Sequence, residues 1–126
     1  MTNYDFDAAR EHFAARVSYS TGVHELEVML QQGQKGFAVL DVRYPGDFAQ
    51  GHVPGAVNLP KGKWQSPRGL RKDQVTYVYC YDQTCHLGAE AALALAQQGY
   101  PVVEVEGGFE RWLQKGFRSE PVAQAA

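Results

Sequence analysis

Val78-Tyr79-Cys80-Tyr81-Asp82-Gln83-Thr84-Cys85-His86 joins two segments of different periodicity. On its amino side, Thr76-Tyr77-Val78-Tyr79 is β-branched and aromatic and reads as a buried strand that Cys80 ends. On its carboxyl side, His86 to Gln98 sets Leu87, Ala91, Leu95 and many alanines on one face, a helix stopped by Gly99. A loop that curls from a strand over the start of a helix turns successive backbone N–H groups inward. Together with the helix dipole, those groups make a site that favours anions.

Outward from this segment, strands and helices keep alternating. Phe37-Ala38-Val39-Leu40-Asp41-Val42 is a compact apolar run that ends in charge, as a buried parallel strand does at a functional edge. Val23, Leu26, Met29 and Leu30 form a helical stripe ended by Gly33 or Gly36. Phe6, Ala9, Phe13 and Val17 form an earlier one, over Asp5 to Arg16, expected to dock on the domain. Between Tyr44 and Pro60, Pro and Gly recur; this is turn structure with a short helical turn at Asp47 to Gln50 and a strand at Ala56 to Asn58. Lys61 to Lys72 is a basic loop. Pro101 to Val105 is a further strand, and Gly107-Gly108 opens a last helix with Phe109, Trp112 and Leu113. This order predicts an α/β fold with a mainly parallel central sheet and helices on both faces, its site beyond the carboxyl ends of the strands.

With 126 residues, 44% of them hydrophobic, the chain fits one domain with one core. Its expected divisions are a helical extension over 1–20 packed on the domain, the domain itself over 21–118 and a flexible tail over 119–126. Twelve Lys and Arg against fourteen Asp and Glu give a net charge of -2 with no long block of one sign. Nucleic acid and anionic membrane are therefore poor partners. The N-terminus has no basic opening or apolar core, and no apolar run is long enough to span a bilayer, so the chain reads as cytoplasmic.

The two cysteines admit three readings. In a reducing compartment they are inert packing residues unless their surroundings activate them. As metal ligands with His86 they fit poorly, because C-x4-C-H is not a usual zinc spacing and no second Cys/His pair accompanies it. As reactive groups they fit the loop well: an anion-favouring cradle stabilises a thiolate and equally a persulfide, Cys–S–S⁻. Neither metal nor other cofactor is expected.

At these residues the chain resembles a rhodanese-like domain. Asp41-Val42-Arg43, Asp47-Phe48, the block Gly51-His52-Val53-Pro54-Gly55-Ala56-Val57-Asn58 and Pro60 resemble the family's first block in order and spacing. Tyr77-Val78-Tyr79-Cys80 resembles the strand that ends in the family's catalytic cysteine, and Gly107-Gly108-Phe109 with Trp112 resembles its closing block. The likeness runs from about Val23 to Gly116. It implies sulfurtransferase chemistry, in which a cysteine takes sulfane sulfur from a small donor such as thiosulfate or a persulfide and passes it to a thiol or protein acceptor. It also implies a supporting role for Asp41 and Arg43, or equally a structural ion pair. His52 and Asn58 read as hydrogen-bonding residues of the turn.

The loop departs from the family pattern. Gln83 stands where a glycine is usual, Cys85 where an arginine is, so no cation ends the loop. It resembles a minority form with a C-x4-C loop. Either the following helix starts early, around Cys85, or the loop is enlarged. Cys80 is the leading nucleophile because it lies where the loop N–H groups converge. An enlarged loop would instead put Cys85 at the centre of the cradle as the nucleophile; a further option makes it a resolving thiol that releases sulfide by forming a disulfide, which needs Cα atoms within about 7 Å. The backbone of Tyr81, Asp82, Gln83, Thr84 and His86 would line the cradle. Asp82 opposes a thiolate there and is expected to cap the helix or face solvent. Trp64 and Arg68 are candidates for a mouth, with Arg71 and Lys72 adding positive field.

Two functions of different class remain open on this reading. One is a sulfur-transferring enzyme; the other is a non-catalytic rhodanese-like module that carries or senses persulfide or binds a protein partner. A phosphatase or arsenate reductase on the same fold is disfavoured, because it needs a phosphate-gripping arginine at the end of the loop.

Overall fold

Residues 3–122 are described by the computed structural model. Five strands, β1 (Ser20–Gly22), β2 (Phe37–Asp41), β3 (Val57–Asn58), β4 (Val75–Tyr79) and β5 (Val102–Glu106), form one sheet in the order β1-β5-β4-β2-β3. All four pairings are parallel. Five helices intervene: α1 (Phe6–Tyr19), α2 (Val23–Gln31), α3 (Pro45–Gln50), α4 (Leu87–Gln97) and α5 (Gly108–Gln114). β4 lies at the centre, so the loop that follows it emerges in the middle of the carboxyl edge.

Alternation along the central strands divides the core in two. Val39, Tyr79 and Val105 turn to one face, where Val23 and Leu26 of α2 and Phe109 and Trp112 of α5 cover them. Leu40, Val78 and Cys80 turn to the other, against Ala91 and Leu95 of α4 and against Leu59 and Trp64. Because side chains alternate with period two, β2 and β4 need apolar residues at successive positions, and this is why both read as continuous runs.

The helical extension differs from expectation. Its stripe does not dock: Phe6, Phe13 and Val17 are exposed, and none of α1 is buried. Three aromatic or branched residues separated by Asp7, Arg10 and Glu11 give too thin an apolar band to bury a whole helix face. The helix is held instead at its end, by the Arg16–Glu106 ion pair at 3.1 Å and the hydroxyl of Ser20 donating to the Arg16 carbonyl at 2.5 Å. Ser20–Gly22, read only as the approach to α2, adds β1 to the sheet edge; three small or polar residues carry no strand pattern. Ordered contacts continue past residue 118, since His52 and Glu120 pair in an antiparallel bridge and the Val122 N–H donates to the Ala49 carbonyl at 2.9 Å. Ala123 to Ala126 lie outside the described residues. Among the described residues no helix is long and apolar enough to cross a membrane.

Thr76 of β4 is fully buried and its hydroxyl has no hydrogen-bond partner. Burying an unpaired hydroxyl costs about 1–3 kcal/mol, and valine has nearly the same shape with a strong strand preference. Thr76→Val is expected to stabilise the protein by about 1 kcal/mol, seen as a higher denaturation midpoint at unchanged m-value; an unchanged or lower midpoint would show the hydroxyl to be satisfied.

Candidate active site

The end of β2 carries a buried ion pair. Asp41 and Arg43 are 0% and 4% exposed, and the guanidinium forks onto the carboxylate, Nε at 3.1 Å and Nη2 at 2.9 Å from Oδ2. Nη2 also donates to the Gly51 carbonyl at 2.6 Å. The Tyr79 hydroxyl donates to Asp41 Oδ2 at 2.5 Å and accepts from the Val53 N–H at 3.1 Å, while Asn58 Nδ2 donates to the carbonyls of Asp41 and Arg43, both at 3.0 Å. Burial, then the neighbouring Asp41 carboxylate, pushes the Tyr79 hydroxyl well above the usual phenol range. Burial pulls the Arg43 guanidinium down, but the hydrogen bonds and charge of Asp41 more than offset it. The carboxylate, Nε and Nη2 of the pair are all bonded within the scaffold. His52 bonds the scaffold too: Nδ1 meets the Phe48 carbonyl at 2.8 Å and the ring stacks on Phe48.

The guanidinium of Arg43 then lies over the Phe109 ring, 4.1 Å from its centroid, and near Tyr81 at 5.7 Å. This brings α5 under the cysteine loop. The N–H groups of Phe109 and Glu110 donate to the carbonyls of Cys80 and Tyr81, both at 2.9 Å. Such an approach requires glycine at 108: φ is +62°, and a Cβ there would stand 2.7 Å from the Asp82 nitrogen, the Cys80 oxygen and the Tyr81 carbonyl carbon. The Tyr81 hydroxyl bonds Asp47 and accepts from the Tyr44 N–H at 3.1 Å, tying the loop to the start of α3.

The helix after the loop starts at Leu87, not Cys85, so the loop is the enlarged one. Cys80 and Cys85 are joined by a disulfide with Cα atoms 6.4 Å apart, within reach of ordinary bridge geometry. Asp82 neither caps α4, whose N-cap is His86 without a side-chain bond, nor simply faces solvent. Its carboxylate accepts from the Thr84 N–H at 3.0 Å and from the Thr84 hydroxyl at 2.9 Å, and its carbonyl from the Cys85 N–H at 3.3 Å. Asp82 therefore makes the turn that folds Cys85 back onto Cys80.

A cavity of about 70 Å³ lies beside the cysteines, lined by Cys80, Asp82, Gln83, Cys85, Glu104 and Glu106 among others. Three of these are carboxylates, and no Lys or Arg lines it. Thr84 and His86 are exposed, and neither they nor Tyr81 line it. The structure does not bring the expected mouth residues here. Trp64 is 7% exposed in the core beneath α4, its indole N–H on the Leu59 carbonyl at 2.8 Å. Arg68 is exposed on the 61–72 loop and does not line the cavity; Arg71 pairs with Asp73, and Lys72 lies over the Tyr100 ring. Glu104 was missed by sequence reasoning; the available signal was a carboxylate inside the apolar run Val102-Val103-Glu104-Val105.

The structure thus defines a parallel α/β protein with a bridged cysteine pair on the loop after its central strand, at the carboxyl edge of the sheet. The chain belongs to the rhodanese-like domain family, whose model matches residues 23–115. An uncharacterized protein of Bacillus subtilis (strain 168), YqhL, is 29% identical over 111 residues, which cover 79% of this chain and 86% of that protein. The crystal structure of BH2092 protein from Bacillus halodurans superposes with a TM-score of 0.84 at 29% identity, covering 93% of this chain and 87% of that one. A rhodanese-related protein from Thermoplasma volcanium matches with a TM-score of 0.69 at 26% identity, over 81% of this chain and 97% of its own.

Removing one partner of a buried, hydrogen-bonded ion pair leaves the other charge uncompensated, at a cost of about 3–5 kcal/mol. Asp41→Ala is expected to lose stability of that order, measured by denaturant unfolding, since Tyr79 and Arg43 lose a partner together. A loss below about 1 kcal/mol would mean that the pair contributes little to the scaffold.

Proposed function

We propose that this protein is a sulfurtransferase that accepts sulfane sulfur on Cys80 and uses Cys85 as a resolving thiol. The observation that carries this reading is the Cys80–Cys85 pair, held by the Asp82 turn at the carboxyl end of the central strand. In the loading step the reduced Cys80 thiolate attacks the outer sulfur of a donor, the donor's S–S bond breaks, and the donor leaves with the electron pair, giving Cys80–S–S⁻. An acceptor thiolate that attacks the terminal sulfur takes it as a new persulfide and frees Cys80. With no acceptor present, the Cys85 thiolate attacks the Cys80 sulfur instead, forming the disulfide and releasing hydrosulfide. A thiol reductant then resets the pair.

The three carboxylates around the cavity, with no lining cation, bear on the donor. Glu106 is countered by Arg16 from outside the lining, but a dianion such as thiosulfate still meets carboxylates there with no cation of the cavity to bind it, whereas a persulfide of low charge is repelled less. The preferred donor is therefore a small persulfide. The same electrostatics support a second reading, a slow carrier or sensor of persulfide, because they lower the reactivity of the thiolate that turnover requires.

Intact-protein mass spectrometry tests the reading on reduced protein incubated with thiosulfate or a small low-charge persulfide. Wild type is expected to gain one sulfur that cyanide discharges, with the persulfide loading at least about tenfold faster than thiosulfate. Cys80→Ser should abolish the gain; Cys85→Ser should keep it and let it accumulate. Persistence in Cys80→Ser would move the nucleophile to Cys85, and absence with every donor would leave a binding module.

A further inference from the structure

Glu104 forms a wall of the cysteine cavity that the chemistry above does not use. It stands on β5 in register with Val78, on the face of the sheet that α4 covers. A Cβ on the buried Gly88 would lie 3.3 Å from Glu104 Oε2 and 3.7 Å from Cys80 Cβ. Carboxylate and cysteine thus both border the one position of the first turn of α4 that has no side chain. The cavity between them, about 70 Å³, has room for one or two waters among polar groups.

The groups that face Glu104 are few. Glu106 stands on its own strand and is paired from α1 with Arg16; His86 faces it from the start of α4; Asp82 and the two cysteines border the same cavity. Ser20–Gly22 of the neighbouring β1 contribute no titratable side chain. Burial, then the charge of Glu106, holds the Glu104 carboxyl above the usual carboxylate range, against the opposing pull of His86. The carboxylic acid thus persists to a higher pH than on an exposed glutamate.

We propose that Glu104 is the proton-transfer group of the Cys80–Cys85 couple, giving its proton to the sulfur that leaves when an S–S bond opens and recovering it from a cysteine thiol. The inference rests on the redox role of the pair given above; only its sulfide-release branch also needs a persulfide. When a dithiol reductant opens the bridge, its thiolate bonds to one cysteine sulfur, the Cys80–Cys85 bond breaks, and the electron pair goes to the other sulfur, which takes the proton of Glu104. The second reductant thiol then gives up its proton and displaces the first cysteine, which leaves with the electron pair and takes that proton; the reductant ends as a disulfide and the pair as thiols. In sulfide release the carboxylate takes the Cys85 proton, Cys85 bonds to the Cys80 sulfur, and the terminal sulfur leaves with the electron pair and that proton as hydrosulfide. A cavity with no lining Lys or Arg gives a departing thiolate no countercharge, so a proton delivered at that moment lowers the barrier.

The test is the rate at which dithiothreitol reduces the bridge, followed by alkylation and mass across a pH series and expressed per dithiothreitol thiolate. In wild type this constant is expected to fall as pH rises through the Glu104 ionisation, because only the acid form donates. Glu104→Gln should be slower by about tenfold or more at the acid end and should lack the inflection. Glu106→Gln should keep the inflection and move it to lower pH, since the repelling charge that favours the acid form is gone. A Glu104→Gln profile within about twofold of wild type, or an inflection that Glu106→Gln leaves in place, overturns the proposal. Should Glu104→Gln fail to melt cooperatively, the Glu106→Gln shift decides alone. Loading with a persulfide in parallel separates the two claims: absence of a Cys80 persulfide sinks sulfur transfer and leaves the reduction kinetics to judge Glu104.

Discussion

A guanidinium almost out of contact with water needs partners within the fold, and Arg43 finds them through Nε and Nη2 and through its face, reaching five parts of the chain. It forks onto Asp41 at the end of β2, donates to Gly51 in the turn after α3, and stacks over Phe109 of α5 and near Tyr79 and Tyr81. Such a pair adds little net stability over an apolar pair of the same size, because desolvation takes back most of the attraction. What it supplies is geometry. Each partner must sit where the fork points, so β2, β4, the Gly51 turn and α5 are fixed relative to one another at the edge where the cysteine loop emerges.

From that frame the loop is suspended by its own backbone. The first two N–H groups of α5 after Gly108 have no partner within their helix, and they meet the carbonyls of Cys80 and Tyr81, which have left β4. The contact closes only because residue 108 has no Cβ. The packing and the chemistry share this one point, since the sulfur of Cys80 is placed by a carbonyl that α5 holds. The bridge itself spans five positions, and closing so small a loop stabilises the fold by only about 2 kcal/mol. The bridge therefore adds little to the mechanical stability of the fold.

Most of the fold could be read from periodicity and punctuation. β2 and β4 are continuous apolar runs because both faces are covered, and α2 and α4 are bounded by glycines that end them. The block from Gly51 to Asn58 pointed to the family through its turn residues, which here serve the frame around Arg43. What escaped had no local signature. β1 has only three residues and owes its state to pairing with β5. The exposure of α1 could not be inferred from a stripe that looks amphipathic, since a stripe says which face is apolar and not whether anything covers it. Trp64 looked like a mouth residue because its neighbours are basic, but its position is set by the nearby Leu59 carbonyl and by Gln98, which lies far off in sequence. Glu104 belongs to the site only through β5 lying beside β4.

Asp82 looked like a liability in an anion-binding loop, and its role follows from the length of that loop. With the helix beginning at Leu87, the chain between Cys80 and His86 is too long to curl once around a single sulfur and too short for a separate element. It must double back. A carboxylate that takes the Thr84 N–H and hydroxyl makes that reversal, and in doing so it removes one backbone donor from any cradle and sets the Cα atoms of the cysteines 6.4 Å apart. Donors that would stabilise an anion on one sulfur are exchanged for a geometry that brings two sulfurs together. The missing arginine, the added cysteine and the three carboxylates are then consistent with one another: each weakens the stabilisation of a lone thiolate, and each is harmless to a neutral bridge that opens with proton transfer.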